Sequence, residues 1–357
     1  MKIAVISPLT GAYSGAHEYA IQLKRSLEAN GHSTQLFSIA GIGKSPIEQT
    51  QKLFINSKEN NTDMLREYDA IHFTSVSENT KEQPRFLKDS KRFKYFVTIH
   101  SCEHDLQSAN GWQKIVKNAY GIIFTSESNR QYYVKNYPKL VGMHNSYVMN
   151  MPYVTSNMKE NIKKDLAICT SRFVSYKKNK EFLTIAREFP NMQFTQLSTL
   201  KSGKNSFVNG LFTKTYLEQT KKKISGLRNA GIIDYYDCKD PKQTKTDFLE
   251  NAKYLVDLSS FSIDRDRVQY TTLEAMDYGC VPIFHKNFFG HNLKNYKNGV
   301  AVENEIDAAK AIRELEEKPS LREAIINANY KFIKIKYGQS NVMRYVKAYS
   351  RTGGVYR

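Results

Sequence analysis

Cysteine is scarce in this 357-residue sequence. Its four copies, Cys102, Cys169, Cys238 and Cys280, form no C-x-x-C pair. That spacing argues against zinc-ribbon and thioredoxin-type frameworks and fits a reducing cytoplasm. Long apolar runs are missing too: none approaches the roughly 20 residues that a membrane-spanning helix needs. The opening run Met1-Lys2-Ile3-Ala4-Val5-Ile6-Ser7-Pro8 is too short for a signal peptide and reads as a buried first strand. Tryptophan occurs once, at Trp112, and no stretch has the amphipathic, basic, aromatic character of an interfacial membrane helix. Carboxylates are outnumbered, 35 Asp+Glu against 53 Lys+Arg, for a net charge of +18. Such a surplus attracts polyanions such as nucleic acid or an anionic membrane, although a codon bias toward Lys, Asn and Tyr gives the same total. G-x-G-x-x-G is absent. Gly43-Lys44-Ser45 resembles the end of a P-loop but has Ser38 where the motif requires glycine, which rules out that NTPase class.

What is present is globular: 40% apolar and 12% aromatic residues, over a length typical of two domains. The pattern predicts a strand over 2–7 and a helix over about 15–30, with Ala16, Tyr19, Ala20, Leu23 and Leu27 on one face. Gly31 stands at its stop position, and a strand returns over 33–40. Strands are expected over 70–74, 95–99 and 121–125, then a helix over 126–137 ending before Pro138. The polar stretch from about Asn145 to Lys159, with Pro152, reads as a linker. A second α/β series follows: strands over 166–170, 193–197, 232–236, 254–258 and 281–284, and helices over 179–189 and 271–278. Alternation of this kind builds parallel, doubly wound sheets. The expected organisation is therefore an α/β chain of two facing Rossmann-like domains with a cleft between them, spanning 1–150 and 160–338. A terminal helix over 339–357 is expected to pack back on the first domain.

Four local patterns carry chemistry. Thr10 to Ala16 is a small-residue loop between the first strand and helix, where Gly15 would let a ligand approach the backbone; an ordinary tight turn looks the same. Arg172 and Lys177 follow the first strand of the second series and are able to converge on a diphosphate; a solvated basic loop is the alternative, since Lys178 and Lys180 follow. Asp264-Arg265-Asp266 has the D-x-D form of some metal sites, but paired carboxylates in loops are common and no metal site is assigned. Glu274 interrupts an otherwise apolar helix start, where it would either cap the helix or accept two ribose hydroxyl protons.

Taken in order, Gly15-Ala16-His17-Glu18, Arg172 with Lys177, and Asp266 with Glu274-Ala275-Met276 running on to Gly279 and Pro282 resemble the retaining GT-B glycosyltransferases. Within that class the chain is similar to the DNA α-glucosyltransferases of T-even phages. The similar stretches are Tyr270-Thr271-Thr272-Leu273-Glu274, Val281-Pro282-Ile283-Phe284, and Thr98-Ile99-His100 with its following acidic and histidine-containing loop. The resemblance implies transfer of a sugar from a UDP-sugar co-substrate, UDP-glucose in that family, to 5-hydroxymethylcytosine in duplex phage DNA. It implies an enzyme acting in the cytoplasm of the infected host, as a monomer, with no cofactor or essential metal. In such a site His100 and Asp266 contact the donor sugar, and Arg172 and Lys177 carry the charge of the departing diphosphate. Gly15, Tyr236, Thr271, Thr272 and Glu274 complete the donor site, Glu274 on the ribose. Arg85, Lys88, Lys91, Arg92, His104 and Asp105 face the acceptor. One departure stands out: relatives carry His-Asp where this chain has His100-Ser101, so either Glu103 or Asp105, with His104 between them, supplies the missing carboxylate or none does. Two other readings remain open: a GT-B enzyme with a polysaccharide or lipid acceptor, and a DNA-binding module without turnover.

Overall fold

The computed structural model describes residues 1–7, 15–38, 50–52, 62–74, 92–100, 115–142, 145–155, 163–171, 177–197, 222–223, 225–226, 233–236, 245–259, 268–290 and 292–353. The chain divides into two compact units, Met1–Val154 with Lys334–Arg357, and Thr155–Ile333.

The first unit is built on a seven-stranded parallel sheet in the order β3-β2-β1-β4-β5-β6-β7. Its strands are β1 (Lys2–Ser7), β2 (Ser33–Ser38), β3 (Thr50–Lys52), β4 (Ala70–Phe73), β5 (Tyr95–Ile99), β6 (Gly121–Phe124) and β7 (Ser146–Val148). Ile3 to Ile6 are buried without interruption, as expected of a strand covered on both faces of a parallel sheet. Alternate residues serve two cores. Ala4, Ile6, Ile71, Phe73, Tyr95, Val97 and Ile99 join one apolar cluster, while His72 and Thr98 point to the opposite face. Helix α1 (Gly15–Glu28) and the last helix of the chain, described below, cover that face. Helix α2 (Glu127–Asn136) is capped by Ser126, whose hydroxyl accepts from the Asn129 amide at 3.2 Å. The linker expected from about Asn145 to Lys159 contains the boundary between the units, at Val154 and Thr155, but its first part needs correction: Ser146–Val148 is an edge strand pairing with β6.

The second unit holds a six-stranded parallel sheet in the order β10-β9-β8-β11-β12-β13. Its strands are β8 (Lys164–Cys169), β9 (Gln193–Leu197), β10 (Ile233–Tyr236), β11 (Ala252–Asp257), β12 (Val281–His285) and β13 (Val300–Val302). Its helices are α3 (Asn179–Ile185), α4 (Lys245–Asn251), α5 (Tyr270–Asp277), α6 (Glu305–Glu317) and most of α7 (Pro319–Lys336). The period of two is again visible: Ala167, Cys169, Tyr254 and Val256 pack with α3 and α6, and Leu166, Ile168 and Leu255 pack with α4 and α5. Gly299, at φ +156, lies so close to β12 that a Cβ would stand 2.3 Å from the Pro282 carbonyl oxygen, so no larger residue fits.

Helix α8 (Gln339–Ser350) returns to the first unit. Asn341 Nδ2 donates to the carbonyls of Asn150 and Met151 at 3.0 and 3.3 Å. Past its end, Lys94 Nζ donates to the Thr352 carbonyl at 2.8 Å and the Tyr120 hydroxyl to the Arg351 carbonyl at 2.9 Å. A cation and a hydroxyl thus pair the two carbonyls that follow the last helical residue. Among the described residues, no helix is long and apolar enough to cross a membrane.

Candidate functional site

In open parallel sheets, ligands bind beyond the carboxyl ends of the strands, where the strand order reverses. In the second unit that point lies between β8 and β11. Lys177 follows β8, and its ammonium lies 3.9 Å from Asp257 Oδ2 at the end of β11, both side chains largely buried. Asp257 is held in turn by the Ser259 amide at 2.8 Å and by the Ser259 hydroxyl. The root of the preceding loop is pinned as well: Asn179 Nδ2 donates to the Ser171 hydroxyl at 2.9 Å, and Gln196 Nε2 donates to the carbonyls of Cys169 and Ser171 at 3.3 and 3.1 Å. Lys178 takes the left-handed conformation at φ 49, which costs a non-glycine residue about 1–2 kcal/mol. Strain of this kind collects where a loop is shaped for a ligand.

The electrostatics are cationic. Burial holds the His285 imidazole, at the end of β12, below its usual range, and Lys178 and Lys286 add to the depression. Lys286 pairs with Glu303 at 2.6 Å. Burial pushes the Cys169 thiol up to about 11, and the nearby Asp257 carboxylate works in the same direction. Cys169 therefore stays a thiol at neutral pH and is no nucleophile.

Glu274 lies one turn inside α5, not in its first turn, and the cap position is Gln269 without a side-chain bond. The capping explanation for Glu274 therefore fails. Its carboxylate is instead chelated by Lys245 of α4, whose ammonium is 2.6 Å from both oxygens. The two helices lie side by side: Phe248 and Leu249 share a cluster with Ala275 and Cys280. The Lys163 ammonium donates to the Leu249, Glu250 and Tyr278 carbonyls at their C-terminal ends. In the same helix as Glu274, Thr272 is buried and Thr271 partly exposed. Tyr236 is the last residue of β10. Arg172 and Asp266 lie outside the described residues.

In the first unit the order reverses between β1 and β4. His100 stands just past β5. Its Nε2 donates to the Thr74 carbonyl, and its own carbonyl accepts from Asn129 Nδ2 at 3.0 Å. The Tyr19 ring meets the imidazole edge-on, 4.7 Å between centroids. Behind it runs a buried chain of side chains whose polarity is fixed from one end. Tyr345 donates to the Asn150 carbonyl at 2.7 Å. Tyr19 must then donate to Tyr345 at 2.9 Å, and Thr98 donates to Tyr19 at 3.1 Å. With the Thr98 proton used, His72 donates through Nε2 at 2.7 Å and accepts the Tyr349 hydroxyl through Nδ1 at 2.5 Å. That makes His72 neutral, and burial with the nearby His100 holds it down to about 3.

Gly15 is the first residue of α1. Arg92 is exposed and 3.5 Å from Asp63, whereas Lys94 is committed to Thr352. Arg85, Lys88, Lys91, His104 and Asp105 lie outside the described residues. Sequence reasoning missed Asp257, Ser259, His285 and Lys245. Asp257 carried a signal, a carboxylate near the end of a strand beside the reversal; Lys245 carried none.

These two units, each a doubly wound parallel sheet, make up the GT-B fold. No family model matches the chain, and no curated protein matches it in sequence. Solved structures do resemble it. A glycosyltransferase from Rickettsia africae aligns over 98% of both chains at 15% identity, with a TM-score of 0.68. An alpha-glucosyltransferase in complex with UDP and a 13-mer DNA containing a HMU base aligns over 98% of this chain and 99% of its own at 14% identity, with a TM-score of 0.71. Anabaena HepE in complex with UDP-glucose aligns over the same shares at 13% identity, also with a TM-score of 0.71.

Proposed function

We propose that the chain is a glycosyltransferase that moves a sugar, glucose or another hexose or pentose, from its UDP derivative to a hydroxymethylated cytosine in duplex DNA, with retention of configuration. The observation that carries the reading is Lys177, held beside Asp257 at the reversal point of the second sheet. A buried, oriented ammonium there meets the charge that develops on a departing diphosphate, which is where preorganised charge lowers a barrier most. Arg172 joins it in this reading, and Glu274 takes the ribose. Asp266 and His100 take the donor sugar, and Gly15, Thr271, Thr272 and Tyr236 line the rest of the donor site.

The bond from the sugar C1 to the diphosphate breaks as the hydroxymethyl oxygen attacks C1 from the same face. The departing phosphate oxygen receives the acceptor proton. A base stacked in a duplex must be extruded first, and Arg85, Lys88, Lys91, Arg92, His104 and Asp105 are assigned to the acceptor strand. The DNA acceptor rests on the +18 charge and on similar alpha-glucosyltransferase structures whose complexes contain DNA.

The test is UDP release from a panel of UDP-sugars, with and without hydroxymethylated duplex, followed by mass spectrometry of the digested DNA. A sugar on the hydroxymethylated base, with turnover persisting in EDTA and DNA affinity falling on the order of a hundredfold or more between 50 and 200 mM salt, is the expected result. Modification of a glycan or lipid alone would transfer the reading to that acceptor. DNA binding without UDP release from any donor would leave a non-catalytic module.

A further inference from the structure

We infer that Lys245 is a counter-ion gate on Glu274: the ammonium occupies the face of the carboxylate that a nucleotide ribose would use, and a ligand must displace it to enter. The inference rests on the donor reading above, in which Glu274 accepts the two ribose hydroxyls.

The geometry leaves little room for sharing. Lys245 Nζ stands 2.6 Å from Oε1 and 2.6 Å from Oε2, so it bridges the two oxygens and leaves neither of them the nearer partner. A vicinal diol donating one hydroxyl to each oxygen approaches along the same direction. Glu274 is fixed in a helix packed against β12 and keeps only 14% of its side chain exposed, whereas Lys245 keeps 38% of its own. The lysine, on a long flexible stem at the start of its helix, is therefore the partner that moves.

Displacement separates an ion pair that is partly shielded from water. An uncharged nucleoside offers the freed ammonium nothing in return. A nucleoside diphosphate brings its own anion, which the donor reading assigns to Lys177, and that anion can take up the ammonium. The gate would thus discriminate against nucleosides lacking phosphate, without any contact to the base.

The experiment compares wild type with Lys245→Met and Lys245→Gln. The Kd of UDP is measured by calorimetry, and the inhibition constants of uridine and UMP by displacement of bound UDP. Circular dichroism confirms that each variant is folded. The substitutions should tighten uridine binding, leave UDP unchanged or weaker, and lower the UDP-to-uridine preference about tenfold, which is roughly 1.4 kcal/mol. UMP should fall between. A parallel change in all three constants, or none in either variant, overturns the gate while leaving the donor site standing. Absence of UDP binding to wild type overturns the donor reading, and the gate falls with it.

Discussion

The two units share an architecture and differ in what they place beside the point where strand order reverses. In the first, the polar groups behind His100 are neutral and buried, and each proton in the chain from Tyr349 through His72, Thr98, Tyr19 and Tyr345 to Asn150 has an assigned acceptor. In the second, they are charged pairs of graded exposure: Lys177 with Asp257 is largely buried, Lys245 with Glu274 is partly exposed, and Lys286 with Glu303 is exposed. A closed neutral chain fixes geometry, because any broken link leaves a buried group unsatisfied. The more exposed of these pairs bind weakly enough to exchange partners. The first unit is built to hold a shape; in the proposed function the second trades a carboxylate for a phosphate.

The sharpest way to break that contrast is to remove a cation from the second unit. Lys177→Ala, and Arg172→Ala beside it in sequence, should each raise the barrier by roughly 2–4 kcal/mol, the scale for losing one charge-stabilising donor. Folding should survive, since Asp257 keeps its bonds to Ser259. Steady-state UDP release, with thermal unfolding as control, measures both. Near-wild-type turnover in either variant would remove that residue from the diphosphate site.

The shape-holding role of the first unit predicts acid sensitivity. His72 is held down to about 3 from the usual 6.5, by burial first and His100 second. A depressed histidine stays neutral in the folded state while the unfolded chain takes up a proton as pH falls below 6.5. Stability is therefore intact above that value and is lost progressively down to about 3. Between pH 6.5 and 5 the loss should be about 2 kcal/mol. Hydrogen exchange of the β4 and β5 amides follows it, and His72→Gln should flatten the slope. An equal slope in the variant would assign the effect to another group.

Much of this frame was legible in the sequence because long apolar elements announce their period. Tyr95–Ile99 and Gln193–Leu197 are strands over the residues their patterns mark, and α1 begins at Gly15. What escaped was short or non-local. The edge strands Thr50–Lys52, Ser146–Val148 and Val300–Val302 have three residues each, too few to show an alternation. Lys94 follows Arg85, Lys88, Lys91 and Arg92 in sequence and nothing local sets it apart from them, because its partner Thr352 lies 258 positions away. Lys245 and Glu274 are 29 apart and share no motif; only the packing of α4 against α5 joins them. The ordered motif from Glu274 to Pro282 marks a candidate site, but not the charge that stands on Glu274.

The smallest expected effect lies inside one basic stretch and separates the two kinds of lysine and arginine. Arg92 is exposed, and its contact with Asp63 at 3.5 Å contributes at most about 1 kcal/mol. Lys94, two residues on, donates to a carbonyl past the end of α8, and a hydrogen bond from a charged group is worth about 1.5–3 kcal/mol. If the stretch faces DNA, Arg92→Met should raise the KM for duplex and lower the steepness of its salt dependence by about one phosphate contact, with donor hydrolysis and stability unchanged. Lys94→Met should do the reverse: lower stability, with DNA affinity moving little. The two residues are neighbours in sequence and equal in charge, so a net-charge effect would move both variants together. Equal losses of DNA affinity would show that the +18 charge acts as a diffuse field, and that this stretch holds no phosphate of its own.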